Sequence, residues 1–124
     1  MSFDSGNQYI RNHLNLVLDV KEGKVKEGGK IILWEPNGGS NQQWTITTIP
    51  GGEGYCTIDL ANTGYCLDVE GGKMKNGTRV LLWTKNGGYN QQWKFKVWGC
   101  FWVVKGKDIF FISLFLFLDL DLGT

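Results

Sequence analysis

The sequence contains one segment twice, with the second copy 49 residues after the first. A shift of 49 residues aligns Leu18–Trp44 with Leu67–Trp93 without a gap, and 16 of the 27 aligned positions are identical. Both copies end in Asn-Gln-Gln-Trp, within "GGSNQQW" and "GGYNQQW". A fixed period of this length indicates a repeat architecture, in which one unit cannot bury its apolar face without its neighbours. The chain is therefore restricted to folds that assemble copies of one small unit.

Each copy of the repeat is predicted to form four short β-strands. Connectors rich in Gly and Asn, such as "EGGKMKNG" and "TKNGGYN", separate short apolar runs, and no segment has a helical period. Evenly spaced strands with polar turns predict an all-β, closed structure of repeated hairpins. The predicted strands are Tyr9–Asn12, Leu16–Val20, Lys30–Trp34 and Gln43–Thr48 in the first repeat, and Thr57–Leu60, Tyr65–Val69, Arg79–Trp83 and Gln92–Val97 in the second.

Charge and the N-terminal segment exclude several classes of protein. The formal net charge is +1 and acidic and basic residues alternate, so no electrostatic argument exists for binding nucleic acid or an anionic membrane. The segment "MSFDSGNQYIRN" lacks the basic and apolar regions of a secretory signal, which predicts a cytoplasmic location.

The reactive side chains argue against an enzyme. The three Cys residues have no metal-binding spacing, and the predicted hairpin turn places Asp59, not Cys56, opposite Cys66, which favours free thiols. The single histidine, His13, falls in a turn position that the repeat aligns with Asn62. No nucleophile has a neighbouring base, and no loop could cradle a phosphate. The prediction is a non-catalytic protein with no cofactor and no metal.

The repeated motif resembles that of the ricin-type β-trefoil lectins, also called the QxW family. The motif is Leu-Asp-Val, a Gly-rich turn, Leu-Trp and then Gly-Gly-x-Asn-Gln-x-Trp, and the match extends over residues 7–97. The resemblance implies a β-trefoil with three lobes around a pseudo-threefold axis, of which lobe one is about 7–48 and lobe two about 56–97. It also implies one shallow site per lobe for galactose, N-acetylgalactosamine or related sugars, and hence glycans or glycoconjugates as partners.

The repeated polar and aromatic residues have the chemistry that such a site needs. An ionised Asp accepts charge-assisted hydrogen bonds from adjacent sugar hydroxyls, and an Asn amide both donates and accepts. A flat indole covers the patch of C–H groups on a sugar ring. A Gln behind the site would hold the carboxylate in place. By resemblance, the carbohydrate-binding residues are Asp19, Trp34, Asn41 and Gln42 in lobe one, and Asp68, Trp83, Asn90 and Gln91 in lobe two.

The same residues also permit other interpretations. Trp44 and Trp93, which end the motif, are interpreted as core residues. If Trp34 and Trp83 were buried too, the chain would be a structural or protein-interaction trefoil that binds no sugar. A further alternative is the targeting module of a toxin or glycosidase.

The third copy of the repeat is incomplete. A third QxW would fall at 140–142, beyond Thr124, and the third Asp position, 117, is Phe. The prediction is one domain, 1–124, with at most two sugar sites and a truncated or divergent third lobe at about 98–124. The apolar stretch 109–118 either completes part of this lobe or is a divergent end; it is about half the roughly 20 residues needed to cross a bilayer. Open strand edges in such a lobe predict self-association.

Overall fold

The protein is built from β-strands and short 3-10 turns. The computed structural model describes residues 6–94 and, further along the chain, the backbone of two more strands. In this described part no α-helix occurs, which agrees with the predicted all-β class. The strands are β1 (Val17–Val20), β2 (Ile31–Trp34), β3 (Trp44–Thr48), β4 (Cys56–Leu60), β5 (Tyr65–Val69), β6 (Val80–Thr84), β7 (Trp102–Lys105) and β8 (Asp108–Phe111).

Antiparallel hairpins organise these strands, and the two repeats use the same register. Strand β1 pairs with β2, strands β3 to β6 form a four-stranded sheet in chain order, and β7 pairs with β8. Asp19 lies opposite Ile32 in the β1–β2 hairpin, and Asp68 lies opposite Leu81 in the β5–β6 hairpin. Pairing of β3 with β4 connects the first repeat to the second. The two hairpins are therefore equivalent structures that each follow the sequence repeat.

Two predicted strands are reduced to isolated bridges. The predicted strand Tyr9–Asn12 is not a regular strand; single bridges form at Gln8 and Arg11 instead. The Asn12 side-chain oxygen accepts hydrogen bonds from the amides of Leu14 and Leu16, both at 3.0 Å, and this local turn ends the pairing. In the predicted strand Gln92–Val97, Trp93 forms one bridge to Cys56, while 95–97 lies outside the described residues.

The first hairpin of the repeat differs in length between the two copies. Arg11 lies opposite Val17, whereas Asp59 lies opposite Cys66, so the turn in the second repeat is one residue longer. The alignment of His13 with Asn62 is therefore wrong, because the shift before this turn is 48 residues. The predicted pairing of Asp59 with Cys66 is confirmed.

Both cysteines in the described residues are buried free thiols, as predicted. Burial is the main cause that raises the pKa of Cys56 to about 11 and that of Cys66 to about 12, with a smaller contribution from the Asp59 carboxylate. Neither thiol is ionised near neutral pH, so both act as small apolar core groups.

Two tryptophans fill the core, as the sequence predicts. Trp44 and Trp93 are buried among aliphatic residues of both repeats. The indole Nε1 of Trp44 donates to the carbonyl of Leu18 at 3.0 Å, and that of Trp93 donates to the carbonyl of Leu67 at 3.3 Å. Each large apolar group thus satisfies its one donor inside the core. The residues packed with them include Val20, Ile58, Leu60, Leu67 and Leu82.

After the second repeat the strands no longer follow the period. A shift of 49 residues from β4 would place a strand across 105–109, where β7 ends and β8 begins. The backbone of these two strands forms an antiparallel hairpin with Trp102 opposite Phe111. This departure agrees with the predicted divergence of the third lobe. In the apolar stretch 109–118, residues 112–118 lie outside the described part of the chain.

Candidate functional site

Each repeat has one buried carboxylate near the end of a strand, in β1 of the first repeat and in β5 of the second. Asp19 and Asp68 each precede the last residue of their strand, and each is 3% exposed. Isolated buried carboxylates are costly, so their partners determine what they can do. In both repeats these partners come from the turn that follows the Asn-Gly-Gly loop.

In the first repeat, two side-chain amides hold the Asp19 carboxylate. Gln42 Nε2 donates to Asp19 Oδ2 at 2.9 Å and to the carbonyl of Glu35 at 2.9 Å. The Gln42 oxygen accepts from the amide of Asn37 at 2.8 Å, so one buried side chain connects strand and loop. Asn41 Nδ2 donates to Asp19 Oδ1 at 3.2 Å and to the carbonyl of Val20 at 3.0 Å. Both carboxylate oxygens therefore accept one amide each.

The second repeat has the same frame with one difference. Gln91 Nε2 donates to Asp68 Oδ2 at 2.9 Å and to the carbonyl of Thr84 at 2.9 Å, while the Gln91 oxygen accepts from the amide of Asn86 at 2.8 Å. Asn90 Nδ2 donates to the same oxygen, Asp68 Oδ2, at 3.2 Å. Here a single carboxylate oxygen accepts hydrogen bonds from both side-chain amides.

Burial and these amides act on the Asp68 carboxyl in opposite directions. Desolvation by burial raises the pKa of Asp68 above the usual aspartate value of 3.8, and the hydrogen bonds from Gln91 and Asn90 lower it by a smaller amount. At the edge of the site, Glu70 and Arg79 form a bidentate ion pair with distances of 2.6 and 2.9 Å. The pair neutralises both charges there, so of the two carboxyl groups that line this cleft only that of Asp68 has no cationic partner among the lining residues.

An exposed tryptophan accompanies each carboxylate. Trp34 lies two residues beyond Ile32, the partner of Asp19, and Trp83 lies two residues beyond the partner of Asp68. Residues with this diagonal relation share one face of the hairpin. Trp34 is 56% exposed and Trp83 is 37% exposed, in contrast to the two core tryptophans. Each repeat thus presents an indole face to solvent beside its Asp.

In the second repeat these groups line a defined cleft. The cleft has a volume of about 400 Å³, and Asp68, Trp83 and Asn90 are among its lining residues. Gly28 of the first repeat also lines it, and the Gly28 amide donates to the carbonyl of Leu82 at 2.8 Å. The four residues predicted for lobe two are therefore close together, with Gln91 completely buried behind them.

The sequence interpretation missed the role of the second glycine in each Asn-Gly-Gly loop. A Cβ atom on Gly39 would lie 2.6 Å from Asn41 Oδ1, and one on Gly88 would lie 2.6 Å from Asn90 Oδ1. These glycines make room for the site asparagines. The signal available in the sequence was their identity in both repeats, at a fixed distance of two residues before the Asn.

Within the part of the chain that the structure describes, no group of three or more His, Cys, Asp or Glu side chains could hold a metal ion. No described helix is long and apolar enough to span a membrane.

Comparison with protein families gives one match, and it extends over most of the chain. The model of the ricin-type beta-trefoil lectin domain-like family matches residues 4–83 and, in an overlapping match, residues 40–108. No curated protein matches the sequence significantly.

Several solved structures share the fold. An exo-β-1,3-galactanase from Clostridium thermocellum is 36% identical over 77% of this chain, with a TM-score of 0.70. A designed threefold-symmetric protein is 31% identical over 73% of the chain, with a TM-score of 0.67. The Polyporus squamosus lectin, bound to a human-type influenza-binding epitope, is 26% identical over 77%, with a TM-score of 0.63. The chain covers 21%, 64% and 34% of these structures respectively, so it spans less than two thirds of each.

Proposed function

The chain belongs to the ricin-type β-trefoil lectin domain family, and from this premise we propose that it binds carbohydrate without catalysing a reaction. Its all-β fold with repeated hairpins is the β-trefoil type of this family. The observation that carries the proposal is the repeated triad of a buried carboxylate, an asparagine that contacts it, and an exposed tryptophan on the same hairpin face.

The triad has a direct use in sugar recognition. Neighbouring hydroxyls of a sugar ring donate to the carboxylate of Asp19 or Asp68, and charged acceptors make the stronger hydrogen bonds. The indole of Trp34 or Trp83 packs on the C–H patch of the ring. The asparagine, with its amide nitrogen engaged, offers its oxygen to a further hydroxyl. Gln42 and Gln91 act from behind the carboxylates as positioning residues.

Galactose-type sugars are the ligands that we propose for both sites. One similar structure is an exo-β-1,3-galactanase, and the lectin among the neighbours is bound to an epitope that contains galactose. A shallow site with one stacked ring and a few hydrogen bonds in competition with water binds weakly, with a Kd on the order of 0.1–1 mM.

A second candidate function is that of a targeting module within a glycosidase. The exo-β-1,3-galactanase supports it, because this chain resembles only 21% of that enzyme while sharing 36% identity over the matched part. In this role the chain would hold a catalytic domain near its polysaccharide. The alternative hypothesis is a structural trefoil that binds no sugar. The exposure of Trp34 and Trp83 disfavours it, because that hypothesis expects both side chains to be buried.

A glycan array tests the proposal. The unmodified protein and the double variant Asp19→Ala/Asp68→Ala are applied to the same array. We expect the unmodified protein to bind galactose-terminated glycans and the double variant to lose at least about 90% of that signal, because each site loses its charged acceptor.

Two further variants guard against a loss of folding. Trp34→Ala/Trp83→Ala removes two exposed side chains that are not members of the buried core cluster and is expected to give the same loss. Leu14→Ala, at another exposed apolar residue, should bind normally. Unchanged binding by both double variants, with circular dichroism showing folded protein, would contradict the site assignment. If the folded unmodified protein binds no glycan on the array, the alternative of a structural trefoil without sugar binding would be favoured.

A further inference from the structure

A groove in the second repeat continues from the sugar cleft, and it carries Tyr89 where the first repeat has Ser40. The groove has a volume of about 920 Å³. Asn90 lines both the groove and the cleft, and the turn Gly71–Gly72 contributes Gly71 to the cleft and Gly72 to the groove. A ligand that occupies the cleft would thus enter the groove with its next unit.

Two aromatic rings lie along this groove. Tyr89, directly before the site asparagine, is 85% exposed, and Tyr55 lies on the wall formed by the segment between the repeats. The Lys94 ammonium lies 5.2 Å from the centroid of the Tyr55 ring and packs against it. An exposed tyrosine is a flat surface with a polar tip, which suits the C–H face and the hydroxyls of a sugar ring.

The wall that carries Tyr55 is an ordered turn. The amide of Ile49 donates to the carbonyl of Tyr55 at 3.1 Å, and the Tyr55 amide donates to the carbonyl of Gly52 at 3.0 Å. The amide of Gly52 in turn donates to the carbonyl of Ile49 at 2.9 Å. Because three backbone hydrogen bonds hold this turn, the wall is preorganised, which reduces the entropy lost on binding.

The two repeats differ at the position of the exposed groove tyrosine, Tyr89. The motif reads "GGYNQQW" in the second repeat and "GGSNQQW" in the first, so Ser40 occupies the position of Tyr89. Met74, a second apolar residue of the groove, corresponds to Val25. The part of the first repeat that would correspond to the Ile49–Tyr55 wall precedes Asn7, largely outside the described residues.

We propose that Tyr89 and its groove extend the lobe-two site, so that the second repeat recognises a chain of at least two linked sugars rather than a single terminal one. This inference rests on the proposed sugar binding at Asp68 and Trp83. In it, Tyr89 stacks on the unit next to the terminal sugar. Two further residues line the groove: the Glu53 carboxylate accepts hydrogen bonds from the hydroxyls of that unit, and the Gln92 side-chain amide can donate to them or accept from them.

Calorimetric titration with galactose and with β-1,3-linked galactotriose tests this inference. Trp34→Ala removes the first site, so that the second is measured alone. In this background we expect galactotriose to bind about tenfold more tightly than galactose, which corresponds to about 1.4 kcal/mol. Adding Tyr89→Ser should reduce that ratio to about two or less while leaving the affinity for galactose within about twofold.

The first site supplies the matched control. In a Trp83→Ala background, galactotriose and galactose should bind with similar affinity, and Tyr89→Ser should change neither. If galactose binds but the ratio in the Trp34→Ala background is unaffected by Tyr89→Ser, the extended site is overturned and the sugar site stands. If the unmodified protein binds neither sugar, both proposals for galactose-type ligands are overturned.

Discussion

At the scale of single residues, the two site carboxylates are satisfied in different ways. Asp19 uses one oxygen for Asn41 and the other for Gln42. Asp68 receives both side-chain amides on Oδ2, and in the proposed function its Oδ1 accepts from a hydroxyl of the ligand. Burial also raises the pKa of Asp68. The folded protein then binds a proton at Asp68 more readily than the unfolded chain does, so stability falls as the pH rises from the unfolded pKa through the raised one.

This difference predicts that replacing the aspartate by asparagine destabilises the protein at position 19 but not at position 68. Asp68→Asn keeps an acceptor oxygen for both amides and removes the charge that burial disfavours, so we expect an unchanged or higher Tm at pH 7. Asp19→Asn turns an NH₂ group towards an amide donor and is expected to lower the free energy of unfolding by about 1–3 kcal/mol. Both variants should lose binding at their own site by at least about tenfold.

Chemical denaturation at pH 7 measures both effects. The two substitutions remove the same charge from equally buried positions, so each is the control for the other. Equal destabilisation by Asp68→Asn and Asp19→Asn would show that the arrangement of amides around the two carboxylates does not differ in solution.

At the scale of elements, the loop that follows β2 or β6 forms the polar half of each site. The Asn37 side-chain oxygen accepts from the backbone amide of Gly39 at 2.8 Å. The backbone amide of Gln42 donates to the carbonyl of Gly39 at 3.0 Å. The same bonds recur at Asn86 and Gly88. The loop therefore sets the position of the asparagine and glutamine that follow it, and the second glycine leaves space for the asparagine side chain.

Gly88→Ala is predicted to weaken the lobe-two site without unfolding the chain. Its new Cβ would lie 2.6 Å from Asn90 Oδ1 and 3.0 Å from Asn86 Oδ1, so the Asn90 side chain must move from Asp68. Because the atoms that must yield are ends of side chains, the cost in stability should be only about 1 kcal/mol. Sugar affinity at this site should fall about tenfold, as measured by calorimetry in a Trp34→Ala background.

Gly64→Ala is the control for this substitution, because no atom lies within 4 Å of a Cβ placed there. It should leave binding unchanged. Gly39→Ala should reproduce the effect in the first repeat. Normal affinity in folded Gly88→Ala protein would mean that Asn90 does not contribute to the site.

At the scale of the whole molecule, the chain carries two equivalent hairpins and an apolar cleft between them. This cleft has a volume of about 610 Å³, and residues of both repeats line it, including Leu18, Ile31, Leu67, Val80 and Trp93. Apolar surface of this kind is where another lobe or another copy of the chain could pack. The predicted self-association therefore remains a proposal, which sedimentation of the unmodified protein would test directly.

The two proposed sites on one chain predict an avidity effect on multivalent glycans. On a surface of densely spaced galactose-terminated glycans, the apparent affinity should exceed that on a sparse surface by roughly 10²-fold, because the second binding event is intramolecular. Either single variant, Trp34→Ala or Trp83→Ala, should lose this gain while keeping its monovalent affinity at the other site. Surface plasmon resonance at two glycan densities provides the measurement.

Sedimentation of the same samples separates bivalence within a chain from self-association. If the single-site variants keep the density effect and sediment as oligomers, the avidity comes from association of chains. If the single-site variants keep the density effect but sediment as monomers, a site beyond the two predicted ones must bind sugar.

The sequence by itself determined the class of fold, the hairpins and the division between buried and exposed tryptophans. These features depend on local patterns that recur in both repeats: Leu-Asp-Val on a strand, Gly and Asn in turns, and the large indoles of Trp44 and Trp93 at the end of the Asn-Gln-Gln-Trp motif. Strand periodicity and turn chemistry act over a few residues, so a single sequence reveals them. The internal repeat then identified which polar residues to group.

Only the tertiary structure decided how those groups meet. The Asp–Asn and Asp–Gln contacts join residues 22 and 23 positions apart, and the oxygen that each amide selects depends on atomic positions. The one-residue difference between the first hairpins appeared only in the pairing of Arg11 with Val17 and Asp59 with Cys66. The groove at Tyr89 needs the segment between the repeats as its second wall. Contacts between distant segments arise from packing of the whole chain, which no local pattern encodes.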